Sequence, residues 1–414
     1  MLIIYGSFNI GGIETFFLRL AKERSLNNQK IKIIFTIPVA QAEYNQALLE
    51  ELNKYAEVYH FEDIFCNIAL NWRFHLFHKL NIDKLKKILI DIDHIHVCDS
   101  YSGILANDIL NKMDIIKPIT FGVYHTKEFS WGNNNLPYFE NVNRKLVFSC
   151  SDSSNLICFS EDTKIILQNK INKKLENAQT FRLGVIDRDT PLVKNIRLNN
   201  STLRICAVGR LADFKTYNLW MPEVIKRLRN RGVDIQFDIY GFGENEDKVK
   251  KNIIQYDPYV RLLPPFNYSK FNEIVSQYDM FIGSGTAIIQ ASSLGIPSII
   301  GIESIDEPKT YGFFCDFFQY EYNVLGLDFD LMLVEDLIFD YTLIGDQEKL
   351  AVANKHRVAS ENFKISTCNQ NFNIMEKNLL KSFDFNKYIY TISRLIFGIK
   401  LKLLKKSIYH DFFN

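Results

Sequence analysis

Short β-branched or apolar runs alternate along this chain with longer stretches whose apolar residues recur at helical spacing. Leu2–Tyr5, Ile31–Ile37, His94–Cys98, Ile119–Tyr124 and Leu156–Phe159 read as strands, with Glu14–Arg24, Glu43–Lys54, Ile82–Ile90 and Ile104–Lys112 as the helices between them. Strand–helix alternation predicts a mostly parallel sheet covered by helices on both faces. Arg182–Asp187 closes this series, and Thr190–Ser201 reads as a polar linker. The pattern then restarts with strands at Leu203–Val208, Gln236–Tyr240, Val260–Leu263, Met280–Ile282 and Ser298–Gly301. Helices are predicted at Tyr217–Arg231, Glu246–Tyr256 and Ile288–Leu294, and the chain from Gln347 onward reads as helical. The expectation is an α/β protein of two Rossmann-like domains, 1–190 and 200–365, followed by a helical segment 366–414, with a ligand site in the cleft between the domains.

A chain of 414 residues suits two cores, and 47% hydrophobic residues supply them. The 49 basic and 48 acidic residues balance, so charge gives no reason to expect a nucleic-acid partner. The seven cysteines show neither metal-ligand nor redox spacing and read as reduced core residues of a cytoplasmic protein. The start, Met1-Leu-Ile-Ile-Tyr5, reads as a buried strand and not as a signal peptide, and no apolar run approaches membrane-spanning length. The abundance of Ile, Lys, Asn, Phe and Tyr suits an AT-rich bacterial genome.

Candidate chemistry gathers where strands end. Gly11-Gly12-Ile-Glu14 opens the first predicted helix, where small residues let backbone N–H groups approach an anion; a plain tight turn with Glu14 at the positive helix end is the alternative. Gly209-Arg210-Leu211 follows the first strand of the second series, with Lys215 close behind, and two cations on one such loop suit a diphosphate. Gly241-Phe-Gly243 occupies the equivalent place after the next strand. Gly283-Ser-Gly285-Thr286-Ala287 turns a strand into a helix stopped by Gly295-Ile-Pro297; N–H groups at the helix start suit phosphate or sugar oxygens, and Gln290, a turn on, suits hydroxyls. The alternative there is a well-capped core helix. His125 follows a first-domain strand on the side expected to face the cleft, whereas His94 and His96 read as structural.

These landmarks together resemble the retaining GT-B glycosyltransferases of family 4, two facing Rossmann-like domains with a central cleft. The resemblance rests on Gly-Gly-x-Glu at 11–14, His125, Leu183-Gly-Val-Ile-Asp187, Gly-Arg-Leu with Lys215, Gly-x-Gly at 241–243 and the loop, helix and Gly-x-Pro at 283–297, in order over roughly residues 1–300. It implies sugar transfer with retention, from a nucleotide-sugar donor held mainly on the second domain, with no metal or other cofactor. By the same resemblance Arg210 and Lys215 neutralise the leaving diphosphate, Gly12 donates its N–H to it, His125 touches the sugar or acceptor, and Gly241, Gly243, Gly285, Thr286, Ala287 and Gln290 line the donor site. One departure stands out. The family's spaced pair of glutamates in the last motif falls on Ile282 and Gln290; either the nearby Ser284, Thr286 or Glu303 compensates, or the donor chemistry differs, or the protein is inactive.

Trp72-Arg-Phe-His-Leu-Phe-His-Lys79, continuing into Lys84, Lys86 and Lys87, and the tail Asn386–His410 both mix aromatic, apolar and basic residues. Such segments lie in a membrane interface and bind anionic lipid, or form a packed helix with a solvated lysine face. The membrane reading makes the protein peripheral on the inner face of the cytoplasmic membrane, acting on a glycan or lipid-linked acceptor in bacterial surface-polysaccharide assembly. It also makes residues from about Asn386 dispensable to the donor site. Competing functional readings are a nucleotide-sugar epimerase of similar fold and a catalytically inactive nucleotide-binding partner protein.

Overall fold

The computed structural model describes residues 1–404 apart from 10, 43, 67–70, 126–127, 133–134 and 189–201. The linker predicted at Thr190–Ser201 and the end of the tail, with Lys405, Lys406 and His410, therefore lie outside the described residues. The chain divides into two compact units, the first formed by Met1–Arg182 and Cys368–Asn414, the second by Leu183–Thr367.

The first unit carries a parallel sheet of β1 (Leu2–Tyr5), β2 (Lys32–Phe35), β3 (Glu57–Tyr59), β4 (Ile95–Val97), β5 (Ile119–Val123), β6 (Leu156–Cys158) and β7 (Gln179–Thr180). Its spatial order is β3-β2-β1-β4-β5-β6-β7, with β1 registered on both β2 (Leu2 opposite Lys32) and β4 (Leu2 opposite Ile95). Helices α1 (Gly12–Leu26), α2 (Ser100–Met113) and α3 (Tyr138–Lys145) belong to this unit. Ile4, Ile95, Val97 and Phe121 of the strands and Ile104 and Leu105 of α2 sit in one buried cluster, the reason the apolar runs at these strand positions form strands rather than loops. His94 and His96 are buried as expected of structural residues; His96 bridges Thr120 Oγ1 (3.0 Å) and the Tyr124 hydroxyl (2.9 Å) through its two ring nitrogens.

The second unit repeats the plan with β8 (Leu203–Val208), β9 (Ile235–Tyr240), β10 (Val260–Leu263), β11 (Met280–Gly283) and β12 (Ser298–Ile300), all parallel, in the order β10-β9-β8-β11-β12. Alternate residues feed opposite faces. Ile205 and Ala207 pack with Met221, Val224 and Ile225 of α4 (Tyr217–Asn230), whereas Cys206 and Phe281 pack with Ile288 and Ile289 of α5 (Gly285–Ser293). The sheet is therefore covered on both sides. Leu183–Asp187, read from the sequence as the close of the first series, belongs here instead: the N–H groups of Val185 and Ile186 donate to the Phe363 carbonyl at 2.7 and 3.0 Å, and Ile365 N–H returns to Ile186. The backbone amides of this segment find their partners in the unit that follows it, and that decides its allegiance.

The chain beyond Thr367 forms no unit of its own. It returns to the first unit, ending in α7 (Lys387–Leu404) after α6 (Asp346–Ser360) of the second.

Candidate functional site

Both sheets run outward from a central pair of strands, β1/β4 in the first unit and β8/β11 in the second. At such a reversal the loops leaving two adjacent parallel strands diverge, one crossing to each face of the sheet, and leave a crevice at the carboxyl ends. In the second unit those loops are Gly209–Thr216, after β8, and Gly283–Gly285, after β11.

The first loop is held by its neighbours. Gly209 N–H donates to Tyr240 O (3.0 Å), Leu211 N–H to Phe242 O (2.9 Å) and Asn245 N–H to Leu211 O (3.0 Å). Gly241 permits this: a Cβ there would lie 2.0 Å from the Gly209 carbonyl oxygen. The Gly-x-Gly pair at 241–243 thus acts on the cation-bearing loop by letting two backbones touch. Gly241→Ala should shift that loop and destabilise the second unit by about 1–3 kcal/mol, the usual cost of overpacking; an unchanged urea midpoint would contradict this contact. Beyond Leu211, Ser304 N–H donates to Phe214 O at 2.7 Å, and Thr216 Oγ1 and Trp220 Nε1 both donate to Ile305 O, at 2.5 and 3.2 Å. These bonds tie the start of α4 to the 301–305 segment that follows β12.

Arg210 is exposed and has no side-chain partner among the described residues. Lys215 is half-buried; its ammonium stands over Gly209, where an added Cβ would meet Nζ at 2.8 Å. Across from it, β11 ends at Gly283 and α5 begins at Gly285, whose φ of +63° suits glycine. Gly285 N–H is taken by Asn323 Oδ1 at 2.9 Å. Thr286 and Ala287 N–H groups, in the first helical turn, have no acceptor among the described residues. Ser284 occupies the N-cap position without capping; its hydroxyl is buried beside the Glu303 carboxyl. Gln290 is engaged at both ends of its amide, accepting from the Tyr268 hydroxyl (2.5 Å) and donating to Asn272 Oδ1 (2.9 Å).

Ile282 is fully buried in β11, where the resemblance would place a carboxylate. The carboxyl group of this region is Glu303. Burial pushes its pKa up to about 7, opposed by the attraction of Lys215 and by the Ser284 hydroxyl and reinforced by Glu321. Its backbone N–H donates to Asn323 O at 2.8 Å, so Asn323 fixes both Glu303 and the start of α5. In an unfolded chain the carboxyl titrates near 4.5. As pH rises from about 4.5 to about 7 the unfolded chain therefore loses a proton that the folded one keeps. Wild-type stability should consequently fall relative to Glu303→Gln across that window and run parallel above it. Denaturation midpoints of both proteins over this range provide the check, and a difference that grows in the wild type's favour contradicts it.

The first-unit residues are arranged differently. Gly12 is the first residue of α1, exposed, behind an extended Gly11. Glu14 folds back over the turn, its carboxylate so close that a Cβ on Gly11 would lie 2.3 Å from it, and it accepts from the Tyr5 hydroxyl at 3.2 Å. A side-chain carboxylate thus already sits at this positive helix end. His125 is exposed just past β5, its carbonyl accepting from Glu128 N–H at 3.0 Å. Asp91 and Asp93 stand at the amino end of the sheet: Asp91 pairs with Lys32 (2.5 Å) and Asp93 with the chain's amino terminus (3.1 Å). All seven cysteines are free thiols.

Among solved structures the chain is similar in fold to HepE of Anabaena in complex with UDP-glucose, with a TM-score of 0.60 at 14% identity over 90% of this chain and 98% of that one. A glycosyltransferase of Rickettsia africae matches with a TM-score of 0.60 at 12% identity, covering 98% and 99% of the two chains. The lipopolysaccharide outer core galactosyltransferase WaaB, in its apo form, matches with a TM-score of 0.55 at 14% identity over 90% and 98%. The fold is the GT-B fold, built of two Rossmann-like domains. No protein-family model and no curated protein matches the sequence.

Proposed function

We propose that the protein is a glycosyltransferase that takes a sugar from a nucleotide-sugar donor seated on the second unit. The observation that carries this reading is the convergence at the β8/β11 reversal: an exposed Arg210 and the Lys215 ammonium on the loop after β8, and, at the start of α5 after β11, two N–H groups with no acceptor among the described residues. Cations and helix-start amides favour the same ligand charge, and a diphosphate is the leaving group such a set stabilises as negative charge develops on it. In the transfer step the bond from the anomeric carbon to the diphosphate oxygen breaks and an acceptor hydroxyl forms the new glycosidic bond. The hydroxyl proton passes to the departing phosphate. Retention follows from the family resemblance, with attack on the face the leaving group vacates. With charge supplied by Arg210, Lys215 and backbone dipoles, the reaction needs no metal. The UDP-glucose held by HepE supports a nucleotide-sugar donor here. The family resemblance implies a contact to sugar or acceptor for His125 and to phosphate for Gly12.

The acceptor is a glycan or lipid-linked saccharide of bacterial surface-polysaccharide assembly, met at the inner face of the cytoplasmic membrane. The buried Ile282 and the engaged Gln290 favour, as a second reading, a nucleotide-binding partner protein without turnover. A panel of nucleotide-sugar donors, scored by nucleoside-diphosphate release with membrane extract as acceptor source and excess chelator present, separates the two. Release that depends on acceptor supports transfer; nucleotide binding without release supports the second reading. Activity abolished by chelator and rescued by manganese or magnesium would overturn the metal-free mechanism.

A further inference from the structure

Two basic, aromatic stretches lie some three hundred residues apart in the sequence, and the first unit brings them together. Phe77, in the one-turn helices of Trp72–Phe77, packs its ring 4.9 Å from that of Tyr388 on α7. On α7 the inward face is settled by contacts: Tyr390, 1% exposed, donates its hydroxyl to Asn143 Oδ1 (3.0 Å), Phe397 stacks on Trp131 (5.1 Å between centroids), and the Arg394 guanidinium lies 3.3 Å over the Tyr101 ring.

The opposite face is apolar and, among the described residues, uncovered. Tyr388, Ile389, Ile392, Ile396, Ile399 and Leu403 are between 49% and 79% exposed. At helical periodicity these six residues fall within an arc of about 100°. Lys400 and Lys402, both exposed, flank that arc on its two sides. No acidic residue occurs between Lys387 and Leu404. The helix has 18 residues, and no helix among the described residues is long and apolar enough to cross a membrane. Arg73 and Lys79 add exposed cations at the neighbouring segment, Arg73 lying 5.2 Å over the Trp72 ring. Two cations of this helix are withdrawn from this surface: Lys387 pairs with the buried Asp108, and Arg394 faces inward.

We infer that the outward face of α7, with the adjoining Trp72–Lys79 segment, is a docking surface for an anionic lipid bilayer, on which the helix lies in the interfacial plane. A lipid surface is the occupant that this arrangement selects. An apolar stripe with cations on both flanks matches acyl chains below and acidic headgroups alongside. A second copy of the same face would instead oppose lysine to lysine with no carboxylate to answer them. The inference gives the membrane-surface part of the proposed function its contact residues. It is read without donor or acceptor, so its failure is distinct from failure of the transferase reading.

The test is co-sedimentation of the full chain with vesicles of phosphatidylcholine alone or with about a third phosphatidylglycerol. Wild type should partition onto the anionic vesicles. Ile392→Gln combined with Ile396→Gln and Ile399→Gln should lower the partition about tenfold or more. Lys400→Glu with Lys402→Glu should lower it about thirtyfold or more on anionic vesicles, the scale of about 1 kcal/mol for each of the two cations, and hardly at all on neutral ones. Circular dichroism and the urea midpoint should be unchanged in both, because the altered side chains face outward. Equal binding by wild type and both variants overturns the inference. So does concentration-dependent dimerisation of the wild type in lipid-free sedimentation that the isoleucine variant abolishes.

Discussion

Alanine at Arg210, and separately at Lys215, should each lower kcat/KM for nucleotide-sugar turnover by roughly 30- to 1000-fold, equivalent to about 2–4 kcal/mol of transition-state stabilisation. The thermal midpoint should hold in both. Arg210 is exposed without a side-chain partner among the described residues, and the Lys215 ammonium makes no hydrogen bond or ion pair there beyond its longer-range attraction to Glu303. Because both cations would act on one diphosphate, the double variant should lose less than the product of the single losses. Steady-state kinetics on all three proteins, with melting curves alongside, decide the matter. Near-normal turnover in both single variants would remove the basis of the mechanism.

Ending the chain after Phe385 should strongly destabilise the first unit. The sequence alone leaves this tail as either a membrane-binding segment or a packed helix; the packing makes it part of the core. Truncation removes the buried Tyr390 and Thr391 and strips Phe397 from Trp131 and Phe139. It also leaves Asp108, 2% exposed, without Lys387. Loss of one large buried aromatic commonly costs about 3–5 kcal/mol, and a domain's whole stability is about 5–15 kcal/mol. The truncated protein should therefore unfold at a much lower urea concentration, whereas the outward-facing substitutions on the same helix should not. A truncated chain with the wild-type midpoint would contradict the packing and restore the view of the tail as a detachable anchor.

Much of the second unit is legible because its central strands carry buried apolar runs, and even its edge strand at 260–263 keeps an apolar sequence. Leu203–Val208 and Val260–Leu263 coincide with the predicted runs, and α4 differs by one residue. Edge elements are less so: β3 (Glu-Val-Tyr) and β7 (Gln-Thr) are short and only partly buried, leaving no apolar run to mark them. Helices at Glu161–Ile171 and α3 also go unmarked, the former because only Thr163 and Leu167 are buried along it. For the site, the sequence places the right loops at strand ends but not their contacts. That Gly241 works by touching Gly209, or that Glu303 approaches Lys215, depends on strand order β9-β8-β11-β12, which brings distant residues side by side. Charge counting in the tail likewise could not tell Arg394, turned inward over Tyr101, from Lys400, facing out.

The central claim is that the β8/β11 crevice of the second unit holds a nucleoside diphosphate. Calorimetric titration of the common nucleoside diphosphates into wild type and into the Arg210→Ala, Lys215→Ala double variant tests it most directly, because it needs neither the acceptor nor the donor sugar. The expected result is saturable binding of at least one nucleotide by the wild type, weakened by about 30-fold or more in a variant that remains folded. Binding that is undiminished in the double variant, or no binding of any nucleotide by the wild type, would contradict the account.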